Sequence, residues 1–146
     1  MSSEASLLIS LVTVVALGSA AAYWANRPQP LVRFYDTNLT AHKLPCLSLR
    51  TQPYTPSYET LLKQTYRFDA QCPYRVTLRY KGGIVCNSTY NVPQKCVEGM
   101  PHAFLRFDVQ RGFKTLYSYY VDVDGKVDED TIREGWKRVK KDVVGD

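Results

Sequence analysis

Charged residues are missing from the first stretch of the chain and recur throughout the rest. From Ala5 to Asn26 the run ASLLISLVTVVALGSAAAYWAN contains no Asp, Glu, Lys, Arg or His, and it is bounded by Glu4 and Arg27. As a helix it would rise to roughly 33 Å, enough to cross a hydrocarbon core. Tyr23 and Trp24 close the run where a bilayer–water interface would fall. The pattern predicts a short tail over 1–4 and a single transmembrane helix over 5–26. MSSE lacks the basic segment of a cleaved signal peptide, so the helix reads as a signal anchor, although Ala20–Ala21–Ala22 could serve as a cleavage site. Gly18 and Ala22 form a small-xxx-small pair, which makes them candidates for contact with another helix.

The next stretch, 27–55, contains Pro28, Pro30, Pro45 and Pro53 and reads as an extended connector. Leu31–Phe34 and Leu47–Leu49 are its candidate short edge strands. A helix is expected from Pro56 to Tyr66, with Thr55 as N-cap and Pro56 at its first position. Its apolar face would carry Tyr58, Leu61, Leu62 and Tyr66.

Beyond Arg75 the period drops to two. Val76, Leu78 and Tyr80 alternate with Arg75, Thr77 and Arg79, as in a half-buried strand. Lys81–Gly82–Gly83 would turn the chain into a partner strand from Ile84 to Tyr90. Asn91–Pro101 reads as a loop. Leu105, Phe107 and Val109 alternate with Arg106 and Asp108 in a third strand. After Gln110–Arg111–Gly112, a fourth runs from Phe113 to Val123, with Thr115, Tyr117, Tyr119, Val121 and Val123 on one face. The expected sheet is a four-stranded antiparallel meander.

The last element is a helix capped by Asp128. Glu129 and Asp130 sit at its positive end, and Lys137, Arg138, Lys140 and Lys141 towards its negative end. Ile132, Trp136, Val139 and Val143 form one apolar stripe that should bury against the sheet. The four basic residues form a candidate basic surface for anionic lipid or an acidic partner. The fold class is therefore α+β: a transmembrane helix followed by a small domain over 56–146, with a four-stranded meander flanked by two helices.

Composition adds the question of compartment. The net charge of +5 comes with acids interleaved among the bases, which fits an ordinary solvated surface. The four cysteines, Cys46, Cys72, Cys86 and Cys96, all follow the apolar run and form no C-x-x-C pair, so disulfides fit better than zinc. Three connectivities are open. The short loop favours Cys86 with Cys96, leaving Cys46 for Cys72. Arg27 and Arg33 point the domain towards the cytoplasm by the positive-inside rule, whereas disulfides require an oxidising space. The cysteines carry more weight, and the sequons at Asn38 and Asn87 agree with them.

No pattern specifies a chemistry. Asp122–Asp130 has the acids of a calcium loop, but its glycine stands at the fourth position rather than the sixth and Arg133 at the twelfth. Arg111–Gly112–Phe113 begins like an RNA-recognition strand, and Lys114–Thr115–Leu116 breaks the match. His42 and His102 are the only histidines, both in loop-like settings. No catalytic, metal or cofactor site is expected, and neither nucleic acid nor a small-molecule ligand is an expected partner. The expected role is a non-catalytic subunit in contact with the bilayer and with other membrane-protein subunits. The alternatives are a membrane-anchored binding module of inhibitor, immunity or receptor type, and a membrane-tethered enzyme.

Overall fold

The alternation in the second half of the chain produces a sheet with one oily face and one polar face. The computed structural model describes residues 28–82 and 103–145. Five strands, β1 (Leu31–Phe34), β2 (Ser48–Gln52), β3 (Tyr74–Lys81), β4 (Ala103–Arg111) and β5 (Lys114–Val123), form one sheet in the order β1-β5-β4-β3-β2. Two helices, α1 (Pro56–Lys63) and α2 (Glu129–Val143), pack on it. The result is a small α+β domain in which two helices flank a mixed sheet.

Register puts the apolar residues in rows across all five strands. One row is Phe34, Tyr117, Val109, Val76 and Leu49, and the next is Val32, Tyr119, Phe107, Leu78 and Thr51. Both helices cover this face. Tyr58 of α1 meets Tyr80 of β3 edge to face at 5.1 Å. The expected stripe of α2, Ile132, Trp136, Val139 and Val143, is buried as the pattern requires. Asp128 caps α2, accepting from the Thr131 backbone N–H at 2.8 Å and the Thr131 hydroxyl at 2.6 Å. These two hydrogen bonds hold its carboxyl below the usual carboxylate range.

A glycine sets how closely α2 approaches the sheet. A Cβ at Gly135 would lie 3.0 Å from Phe107, 3.1 Å from Tyr119 and 3.2 Å from Leu105, all of them buried. Gly135→Ala is expected to destabilise the fold by about 1–2 kcal/mol: overpacking costs about 1–3 and better helix propensity returns about 0.5–1. Urea unfolding measures this, and a stabilised variant would mean that the three side chains yield freely.

The sheet differs from the expected meander in three respects. It is mixed, because β2 runs parallel to β3 while every other neighbouring pair is antiparallel. It has five strands, and both edge strands come from the proline-rich stretch. β3 lies between β2 and β4; the expected hairpin partner Ile84–Tyr90 lies outside the described residues. The parallel pair follows from chain order, since α1 connects β2 to β3 and a helical crossover returns the chain in the same direction. Between the edge strands, Leu39 and Leu47 plug into the core, and the Leu44 backbone N–H donates to the Val143 carbonyl at 2.9 Å.

Local differences have local causes. A bulge between Val109 and Gln110 moves Thr115 opposite Gln110 and off the face shared by Tyr117 and Tyr119. Thr55 precedes α1, but its side chain makes no cap bond. Its hydroxyl is committed to the Pro53 carbonyl and the Tyr80 hydroxyl instead. α1 ends at Lys63, so Tyr66 enters the core from the following turn.

Candidate functional site

The polar half of each strand forms the second face of the sheet, which neither helix covers. One row of it reads Arg33, Ser118, Asp108, Thr77 and Arg50 from edge to edge, and the next Leu31, Tyr120, Arg106, Arg79 and Gln52. Arg79 and Arg106 are direct cross-strand neighbours, a like-charge pairing that repels unless something bridges it. Asp108 bridges it. Its side chain is 2 % exposed and lies 2.9 Å from Arg106 Nε and 3.5 Å from Arg79 Nη1. The Arg79 Nε donates to Gln52 Oε1 at 3.0 Å, which fixes its guanidinium in line with the edge strand. These two rows carry four guanidinium groups and one carboxylate, and Arg79 and Arg106 remain 43 % and 40 % exposed.

Aromatic surface adjoins this lattice. Phe104 and Tyr120 stack at 5.7 Å, and the Tyr120 hydroxyl donates to Asp122 Oδ1 at 2.8 Å. Burial, and then that bond, push the Tyr120 hydroxyl above its ordinary pKa, so it stays a donor at neutral pH. Leu31 on β1 and Phe113 at the β4–β5 tip are exposed apolar side chains. Arginine and aromatic side chains, here on the face that neither helix covers, are the composition typical of protein contact surfaces.

The disulfide Cys46–Cys72 is present, with Cα atoms 5.9 Å apart. It joins the residues leading into β2 and β3, so it clamps the parallel pair at its start. Cys86 and Cys96 lie outside the described residues, as do the expected anchor with Gly18 and Ala22, His102 and Asn87. Of the basic residues on α2, Lys137 and Lys141 are exposed and Lys140 is half-buried. Arg138 is exposed as well but binds Asp142 at 2.8 Å, which raises its pKa and anchors the carboxylate that accepts from the Tyr117 hydroxyl. His42 is exposed on the turn after residues 37–40, with its backbone N–H donating to the Asn38 carbonyl.

Among the described residues, no group of three or more His, Cys, Asp or Glu could hold a metal ion. Asp122 and Asp128 of the calcium-like stretch are engaged with Tyr120 and Thr131. Among the same residues, no helix is long and apolar enough to cross a membrane. The two-row lattice was the feature hardest to read in the sequence. Alternation set Thr77, Arg79, Arg106 and Asp108 opposite the apolar face, but only the register shows that Asp108 holds two arginines and that Arg33 and Arg50 join the same row. The chain matches no family model, and no curated protein or solved structure matches it.

Proposed function

We propose that this chain is a non-catalytic, single-pass membrane subunit, held by residues 5–26, whose disulfide-bonded domain docks on an acidic surface of a neighbouring protein. The sheet face that neither α1 nor α2 covers carries the proposal: it presents Arg33, Arg50, Arg79 and Arg106 beside the stacked Phe104–Tyr120 pair, and among the described residues Asp108 is the one carboxylate paired with these arginines. Such a face attracts and orients a partner of opposite charge. The Cys46–Cys72 bond supports placing the domain on the oxidising side of the membrane, against the vote of Arg27 and Arg33.

Leu31 and Arg33 stand at the exposed edge of this face, and changing them leaves the Asp108 lattice intact. After mild detergent solubilisation the native chain is expected to co-purify in a defined complex. A Leu31→Glu/Arg33→Glu variant should retain about tenfold less partner, corresponding to roughly 1.4 kcal/mol, with unchanged thermal unfolding. A strictly monomeric chain that co-purifies with nothing, or a variant that holds its partner equally well, would overturn the proposal.

A further inference from the structure

At the disulfide-clamped end of the parallel pair, a cavity of about 650 Å³ opens between β2, the end of α1 and the start of β3. Three cationic side chains line it: Arg50, Lys63 and Arg75. None of its lining residues is an acid. Lys63 is shared with Glu59 at 3.6 Å, outside the lining. Arg75 is half-buried, with its Nε sealed inside and without an acceptor among the described residues, so the outer part of its guanidinium is what the cavity can reach. Leu49, Phe68 and Pro73 give the same cavity apolar walls, and Phe113, fully exposed, follows Gly112 of its lining.

From this arrangement we infer that the cavity is a binding site for a phosphate monoester attached to an apolar body. Two guanidinium groups suit the planar, bidentate recognition of phosphate oxygens, and a third positive charge favours a dianion over a carboxylate. The volume exceeds what a bare anion fills and lies in the range of small-molecule sites. The same phosphate chemistry can come from a soluble metabolite or from a lipid headgroup. The site goes beyond the docking role and shares only Arg50 with that face; Leu31 and Arg33, whose substitution tests the docking, are not part of it.

The test titrates the detergent-solubilised full chain by calorimetry in two arms: phenyl phosphate in solution, and phosphatidate in mixed micelles. Saturable binding in either arm is expected, weakened about tenfold or more by Arg50→Gln and by Arg75→Gln. Binding in the first arm identifies a soluble ligand, and binding in the second arm alone identifies a headgroup. The Leu31→Glu/Arg33→Glu variant should bind as the native chain does. Arg50 is exposed and has no side-chain partner among the described residues, so Arg50→Gln is expected to keep the fold and decides the matter if Arg75→Gln unfolds. No binding in either arm up to about 10 mM, a range that already includes the weakest specific sites, or equal binding by native chain and Arg50→Gln, would overturn the inference.

Discussion

Trp136→Ala is expected to lower the unfolding free energy by about 3–5 kcal/mol, the largest effect of any single truncation in this domain. Trp136 is where the helix layer, the sheet and the segment after α1 meet. Its ring lies 5.8 Å from Tyr66, 5.4 Å from Phe68 and 6.1 Å from Phe107. Its indole N–H donates to the Thr65 hydroxyl at 3.0 Å. Truncation would leave a cavity bordered by aromatic rings that cannot collapse without moving β4. For a domain whose total stability is about 5–15 kcal/mol, the loss approaches global unfolding. Trp136→Phe keeps most of the packing and forfeits the bond to Thr65, so it should cost markedly less. Urea unfolding of the two variants checks the ordering; a Trp136→Ala midpoint near that of the native chain would show that the rings close the gap.

Removing the Cys46–Cys72 bond should have an effect of similar size. The bond spans 26 residues of sequence. Loop-closure entropy for a loop of that length is worth about 3.5 kcal/mol. The loop contains β2 and α1, so without the bond the edge strand loses its clamp while the antiparallel core of β3, β4 and β5 keeps its pairing. A Cys46→Ala/Cys72→Ala variant is therefore expected to unfold at lower denaturant, and β2 amides should exchange faster than those of β4. Uniform loss of protection across both strands would show instead that the bond supports the domain as a whole.

The elements that show in the sequence are those whose burial repeats locally. In α2, Ile132, Trp136, Val139 and Val143 must share a face whatever surrounds them, so the helix and its buried stripe follow directly from spacing. In β3 and β4, alternation at Val76–Leu78 and Leu105–Phe107–Val109 does the same. Pairing depends on partners far along the chain, and there the spacing says little. β1 and β2 are short and sit among prolines, which edge positions tolerate. One signal for β2 was present: a short apolar run, a helix and a period-two strand in succession form the β-α-β order that forces parallel pairing. Thr115 was misplaced because a bulge changes the period without changing composition. The basic face was half legible: its residues could be read as outward-facing, but the bridge through Asp108 joins β3 to β4 and exists only once register is set.

The pairing of β1 with β5 also bears on how the chain is made. Leu31 sits opposite Tyr120, so the first strand to leave the ribosome has its partner among the last. Chains emerge at about 5–20 residues per second, which leaves β1 waiting for several seconds with both of its edges open. If residues 5–26 insert as proposed, β1 spends that interval tethered close to the bilayer, while the remainder of the sheet is still to be translocated. A nascent chain halted before Lys114 would carry an unmatched strand at the membrane surface. Only completion of β5 gives that strand a partner and closes the inner edge it presents.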